Sequence, residues 1–178
     1  MRKLSTTEIK RLSIDQFKSA PKLNLTLILE NIRSLSNIGS IFRTADCFLI
    51  KKVYLTGLSG KPPHRNIQKT ALGATRSIDW EYQKSSLPLI DQLAEQYYKI
   101  IALEQTDQSI SLMKFHPSAD LDYALIVGNE INGIAQETIN RVDKAIEIPQ
   151  FGTKHSFNVS NSAAIFIWDF FQKVDSVK

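Results

Sequence analysis

Three polar clusters contain the residues of this chain whose types and spacing could do chemistry. The first occupies residues 30–45 (ENIRSLSNIGSIFRTA), in which Arg43 follows Asn37 by six positions. We expect Asn37 to cap a helix, Gly39 to let another part of the backbone approach closely, and Arg43 to lie at the same end of the sheet. An ordinary loop with a cap and an exposed arginine would have the same sequence, so this cluster alone does not decide the function.

The second cluster occupies residues 127–133 (VGNEING), directly after an apolar run. Two glycines and two asparagines in one short loop favour positive φ angles and a pocket lined by backbone atoms. Glu130 places a carboxylate at the mouth of that pocket. The alternative is a tight turn in which Glu130 stabilises the amino-terminal end of the next helix.

The third cluster occupies residues 146–164 (IEIPQFGTKHSFNVSNSAA), where a polar loop leads into an apolar helix. One of its polar side chains is expected to cap that helix, and the others could contact a phosphate at the helix N-terminus. The candidates are Ser156, Asn158, Ser160 and Asn161.

These clusters lie where predicted strands end and predicted helices begin, which is where open parallel sheets bind ligands. The strands are continuous apolar runs, as expected for a sheet covered on both faces. They are predicted at 25–30, 52–56, 98–103, 123–127 and 145–148, with a weaker strand at 77–82. Helices are predicted at 38–48, 87–97, 135–141 and from about residue 160. This alternation predicts an α/β fold, with a single domain whose mostly parallel sheet is flanked by helices.

Several common enzyme motifs are missing from the sequence. It has no G-x-G-x-x-G loop, no phosphate-binding G-x-x-x-x-G-K-[ST] loop and no G-x-S-x-G turn, which disfavours dehydrogenases, kinases and hydrolases. Cys47 is the only cysteine, so no intrachain disulfide can form. The three histidines are scattered, and we predict no metal site.

Basic residues are concentrated in two segments. Residues 47–78 contain six Lys and Arg and no Asp or Glu, and residues 1–22 contain six against two acidic residues. We interpret 1–22 as a basic N-terminal helical extension and 23–178 as the main domain. This charge distribution favours a polyanion partner, whereas solvated surface lysines are the alternative. No signal-peptide-like or membrane-spanning run is visible, so we expect a cytoplasmic protein without membrane contact.

The three clusters, in this order and at these distances, resemble the signature motifs of the SpoU (TrmH-like) family in the SPOUT superfamily of RNA 2′-O-ribose methyltransferases. The resemblance covers roughly Leu25 to Phe170, and residues 63–73 (PHRNIQKTALG) look like the linking region of that family. It implies a SPOUT-type fold with a C-terminal trefoil knot. It also implies S-adenosylmethionine as methyl donor and a homodimer with active sites next to the subunit interface.

The resemblance also assigns roles to residues. It implies catalytic roles for Asn37 and Arg43 in the first motif and for Glu130 in the second. In the third motif it implies catalytic roles for Ser156 and Asn158. The residues expected to contact the donor are Leu103, Gly128, Ile148, Phe157 and Asn158. We expect Lys61, Arg65 and Lys69 of the acid-free segment to bind RNA.

The activity expected from this resemblance is methylation of a ribose 2′-hydroxyl in a structured RNA, with tRNA as the first choice. The same chemistry on rRNA is one alternative, and a non-catalytic RNA-binding or assembly factor on the same fold is another. Arg43 could act as a base or as an electrostatic stabiliser of the developing alkoxide, because a guanidinium is a poor base at its ordinary pKa.

Overall fold

Seven strands form one sheet in the computed structural model, which describes residues 1–5 and 7–175. The strands are β1 (Leu23–Glu30), β2 (Ile50–Thr56), β3 (Trp80–Gln83), β4 (Lys99–Leu103), β5 (Ile110–Ser111), β6 (Tyr123–Val127) and β7 (Lys144–Glu147). The helices are α1 (Ile14–Ser19), α2 (Leu35–Cys47), α3 (Arg65–Ala71), α4 (Ala74–Ser77), α5 (Ser86–Glu95), α6 (Gln136–Ile139) and α7 (Val159–Asp175), with a 3₁₀ helix at Leu112–Lys114. Thr6 of the predicted extension and residues 176–178 of the predicted domain lie outside the described residues.

All neighbouring strands run parallel, in the order β3-β2-β1-β6-β4-β7-β5. β1 and the central strand β6 are neighbours in the sheet but distant in sequence, since Leu25 of β1 pairs with Tyr123 of β6. This arrangement confirms the predicted α/β fold with a parallel sheet. It brings the carboxyl ends of β1, β6, β4 and β7 to one edge of the sheet, and the loops that follow those strands share that edge.

Helices cover the sheet on both faces, which explains the continuous apolar runs. Neighbouring residues of β1 belong to different cores: Leu27 packs with Phe42 of α2 and Phe166 of α7, whereas Ile28 packs with Leu93 of α5. Because both faces of the strand are buried, apolar residues can occupy consecutive positions, as Leu27, Ile28 and Leu29 do. In the part of the chain that the structure describes, no helix is long and apolar enough to cross a lipid bilayer.

Helix α2 begins three residues earlier than predicted, and this changes the role of Asn37. The side chain of Ser34 caps the helix by accepting a hydrogen bond from the backbone N–H of Asn37 at 3.3 Å. The prediction that Asn37 is the cap was therefore wrong, and its amide is free for other contacts. The expectation for Gly39 is confirmed, because a Cβ there would lie 2.1 Å from Thr70 Oγ1 and 2.4 Å from the carbonyl oxygen of Ile67. Only glycine lets α3 pack this closely on α2.

The segment between β2 and β3 contains two helices that the sequence pattern did not predict. Helix α3 begins after His64, whose Nδ1 accepts a hydrogen bond from the backbone N–H of Asn66 at 3.1 Å. Ser77 belongs to α4, so the weak strand predicted at 77–82 instead runs from Trp80 to Gln83. Both helices are short and mostly polar, and such segments carry little periodic signal.

Helix formation within residues 1–22 is confined to Ile14–Ser19 among the residues described, so the expectation of a helix across the extension was too broad. Ser13 and Gln16 form a reciprocal capping box at the start of this helix, and Phe17 is buried against the domain.

Nearer the start of the chain, the Arg2 guanidinium and hydrogen bonds from Ser5 lower the pKa of the Glu8 carboxyl to about 2.

Candidate active site

A cavity of about 690 Å³ opens at the carboxyl edge of the sheet, between the loops that follow β4, β6 and β7. We call it the edge cavity. Its volume is in the range of pockets that hold cofactor-sized molecules. Five residues predicted to contact the donor line it, together with Ser156: Leu103, Gly128, Ile148, Phe157 and Asn158. Residues far apart in sequence are thus brought together around one space.

Two glycines shape the loop after β6. A Cβ on Gly128 would lie 2.3 Å from the carbonyl carbon of Gly133 and 2.4 Å from the backbone nitrogen of Ile134. Gly133 has a φ of +65° and hydrogen-bonds with Asn129 in both directions, at 2.9 and 3.0 Å. The predicted positive φ is therefore found at Gly133, whereas Gly128 is required because another backbone segment lies against it.

Asn37, Glu130 and Asn158 form a hydrogen-bonded chain that joins the three polar clusters. Asn37 Nδ2 donates to Glu130 Oε1 at 3.0 Å, and Asn158 Nδ2 donates to Asn37 Oδ1 at 3.1 Å. The Asn158 Oδ1 atom in turn accepts from the backbone N–H of Ser160 at 2.9 Å, which makes Asn158 the cap of α7. Each polar atom of Asn37 has a partner, so the side chain is held in a single orientation at the rim of the edge cavity.

Ser156 and Phe157 are exposed in the loop between β7 and α7. Both line the edge cavity from the solvent side. The Phe157 side chain is 41% exposed, which leaves an aromatic surface available to a ligand. A loop whose polar and aromatic groups are not used in packing is typical of a binding segment.

Arg43 lies on the exposed face of α2 and does not line the edge cavity. It lines a second cavity of about 740 Å³, between the N-terminal segment, α2 and α4, which we call the basic groove. The other cations lining the basic groove are Lys10, Arg11 and Arg76. Within the described residues Arg43 has no hydrogen bond or ion pair, so its guanidinium is free to bind an anion.

The six cations of the acid-free segment lie in three places, one of which is Arg76 in the basic groove. Lys51 and Lys52, at the start of β2, form ion pairs with Asp122 (2.9 Å) and Glu81 (2.8 Å). Burial acts to lower the pKa of each of these lysines, but tyrosine and carboxylate partners outweigh it and raise each pKa above its usual value.

The predicted RNA-binding residues differ from that pair. Lys61, Arg65 and Lys69 are exposed, and none of them pairs with a carboxylate of the described residues. Lys61 lies 4.3 Å from the centre of the Tyr82 ring, a cation–π contact that leaves its charge uncompensated.

Glu30 and Glu104 are among the carboxylates at this edge of the sheet to which sequence reasoning assigned no role. Glu30 ends β1 and is 2% exposed; it accepts hydrogen bonds from Thr138 Oγ1 (2.7 Å), from the backbone N–H of Ala135 (2.9 Å) and from Ser86 Oγ. Glu104 follows β4 and lines the edge cavity. A charged residue directly after an apolar parallel strand was the available signal for both.

Comparison with known proteins agrees with this geometry. The profile of the SpoU rRNA Methylase family matches residues 24–168. A tRNA (guanosine(18)-2'-O)-methyltransferase of Borreliella burgdorferi is 24% identical over 168 residues, with 94% of this chain and 75% of that protein covered. The chain spans 64% of a relative from Staphylococcus haemolyticus.

Solved structures share the fold. The TrmH/SpoU tRNA modifying enzyme of A. aeolicus superposes with a TM-score of 0.82 at 21% identity, covering 92% of this chain and 82% of that one. The SpoU methyltransferase AviRb from Streptomyces viridochromogenes, in complex with AdoMet, superposes with a TM-score of 0.79 at 18% identity, covering 89% and 64%.

The parallel sheet, the edge cavity and the three motif loops around it define the chain as a methyltransferase of the SpoU architecture. The family profile covers most of the sequence. The chain therefore belongs to the SpoU rRNA Methylase family.

Proposed function

We propose that this protein transfers a methyl group from S-adenosylmethionine to a ribose 2′-hydroxyl of a structured RNA, with tRNA as substrate. The observation that carries the proposal is the hydrogen-bonded chain of Asn37, Glu130 and Asn158 at the rim of the edge cavity, because it unites all three motifs at one place. The names of the Borreliella and A. aeolicus relatives support tRNA, and the family name keeps rRNA as the alternative.

The edge cavity fits the donor. Its volume suits a nucleoside-sized ligand, and Gly128 lets the loop after β6 fold back on its own backbone at the wall of the cavity. Leu103, Ile148 and Phe157 offer apolar surface for an adenine ring. When bound, S-adenosylmethionine supplies an electrophilic methyl group on a sulfonium. The AdoMet complex of AviRb supports this assignment.

The chain's own polar residues orient the RNA and handle the proton. Asn37 and Ser156 hold the ribose and a neighbouring phosphate, while Glu130 and Asn158 fix the rim of the cavity. Arg43 receives the proton of the hydroxyl or stabilises the alkoxide that forms, assisted by an RNA phosphate in the basic groove.

We further propose that the protein acts as a homodimer, in which Arg43 of one subunit serves the edge cavity of its partner. Arg43 lines a different cavity from the other motif residues of its own chain, so a second chain is needed to complete the site. The outer face of α7 supports this pairing: Ile165 and Trp168 are exposed, and the Trp168 ring contacts Phe48 and Phe171. We also propose that the C-terminal part of the chain forms a trefoil knot and that the protein is cytoplasmic.

The test is a methyl-transfer assay with the wild-type protein. Tritiated S-adenosylmethionine is supplied with total tRNA and, separately, with rRNA, and the labelled nucleosides are identified after digestion. We expect a 2′-O-methylated nucleoside from tRNA. Label in rRNA alone would select the alternative substrate. Donor binding by calorimetry without transfer to either RNA would favour a non-catalytic factor.

RNA binding should depend strongly on salt, because phosphate contacts release counterions. Replacing Lys61, Arg65 and Lys69 together by glutamine should flatten the log–log dependence of affinity on salt by roughly one unit per lost contact at most. The measurement is filter binding of tRNA at several salt concentrations.

The matched control is the double replacement of Lys51 and Lys52 by glutamine. These lysines are already neutralised by Asp122 and Glu81, so their loss should leave the salt dependence nearly unchanged. If the triple variant keeps the wild-type slope, the RNA path does not cross α3, and residues 1–22 become the place to look for it.

A further inference from the structure

The charge of the edge cavity is opposite to that of the protein. The chain carries a formal net charge of +4, yet the charged groups lining this cavity include three carboxylates. They are Glu104 after β4, Glu130 after β6 and Glu147 at the end of β7. Among the described residues that line it there is no lysine or arginine. The cavity therefore favours a cation.

Glu104 is held in a fixed position at the wall. Its Oε2 atom accepts a hydrogen bond from the backbone N–H of Ile134 at 3.0 Å, and its Oε1 atom accepts one from the backbone N–H of Gln105 at 3.0 Å. A Cβ on Gly133 would lie 2.2 Å from the same Oε2, so the Glu104 carboxylate packs directly on Gly133 in the loop after β6. No cation of the described residues pairs with it.

Glu147 contributes charge without a structural contact. In the described part of the chain its side chain has no hydrogen bond and no ion pair, although it is half-buried at the cavity. Carboxylates that line one cavity attract a positively charged ligand there, because the described lining residues supply no lysine or arginine to neutralise them.

We propose that Glu104, assisted by Glu147, is a specificity determinant that selects the methyl donor, which carries a sulfonium charge, over its product, which lacks that charge. This inference rests on the proposed function. S-adenosylmethionine and S-adenosylhomocysteine share their adenosine and amino-acid parts and differ by the methyl group and the sulfonium charge. Transfer moves the methyl group to the ribose oxygen, the electron pair of the broken bond stays on sulfur, and the hydroxyl proton leaves to a base. The ligand thereby loses the charge that the carboxylates attract, and product release is favoured.

The test compares two ligands on the same protein. Calorimetry should show that Glu104→Gln weakens binding of S-adenosylmethionine about tenfold, which is about 1.4 kcal/mol. The amide also replaces one of the two oxygens that accept backbone hydrogen bonds from Gln105 and Ile134, a cost that both ligands share, so binding of S-adenosylhomocysteine should fall clearly less than binding of the donor. Sinefungin, which carries an amine in place of the methyl sulfonium, should follow the donor.

Glu147→Gln keeps the proposal testable if Glu104→Gln disturbs the loop. Glu147 has no contact to lose, so any effect on the ratio of the two affinities comes from its charge, and we expect a smaller change in the same direction. Glu137→Gln is the control, since Glu137 is exposed on α6 and does not line the cavity. Equal losses for donor and product, or an unchanged ratio in both variants, would overturn the inference. A wild-type protein that binds neither ligand would instead reject the proposed function.

Discussion

Arg43→Ala should reduce methyl transfer at least about 100-fold while changing donor affinity by about twofold or less. Loss of a group that takes a proton or stabilises a developing charge typically has an effect of this size. Donor affinity should survive because Arg43 is expected to face the RNA rather than the sulfonium, in whichever subunit's cavity it acts. The measurements are single-turnover methyl transfer to tRNA and calorimetry with S-adenosylmethionine.

Arg76→Ala is the matched control for that experiment. Arg76 is an exposed arginine that lines the same basic groove, but it lies outside the three motifs. Its loss should raise the tRNA concentration needed for half-maximal rate and leave the rate at saturation nearly unchanged. Full activity in Arg43→Ala at saturating tRNA would remove Arg43 from the mechanism.

Gly128→Ala should weaken donor binding by about 10- to 100-fold. The added methyl group would lie 2.3 Å from the carbonyl carbon of Gly133, a backbone atom that cannot rotate away. Overpacking of this kind costs about 1–3 kcal/mol, and every 1.4 kcal/mol is a tenfold change in affinity. The loop that must shift also lines the edge cavity. Its movement is therefore expected to change the shape of the pocket and to weaken donor binding. Calorimetry with S-adenosylmethionine measures it.

Gly152→Ala is the control, because a Cβ there meets nothing within 4 Å and the residue has no positive φ. It should bind the donor as the wild type does. Circular dichroism and thermal unfolding of both variants separate a local change of the pocket from loss of the fold. Unchanged donor affinity in folded Gly128→Ala would place the donor elsewhere.

Most strands of the sheet could be predicted from the sequence, because a continuous apolar run of a few neighbouring residues is enough to indicate a buried strand. β6 was predicted with the observed boundaries, since Tyr123–Val127 is a continuous buried run. The two-residue strand β5 and helices α3 and α4 were not predicted. Each is too short to show a period, and α3 is positioned by its contact with Gly39 on α2.

The candidate site was predictable in part. The loops follow strands, so their convergence at one edge of the sheet follows from the parallel order, and Asn37, Glu130 and Asn158 do meet there. The position of Arg43 was not predictable from spacing. Asn37 and Arg43 both lie within α2, where six positions amount to less than two full turns, so the two side chains do not point the same way, and only the packed structure shows that Arg43 lines the basic groove.

The pairing of β1 with β6 also determines how the chain must fold. β1 is the first strand of the chain, and one of its two neighbours in the sheet is β6. This neighbour can pair with β1 only after Tyr123–Val127 has been synthesised. During synthesis β1, β2 and β3 can assemble from nearby residues, while the other edge of β1 stays open until most of the chain has emerged. Long-range parallel pairing of this kind slows folding, and an open apolar edge invites aggregation. The strand order therefore predicts slow refolding and a risk of aggregation while that edge is open.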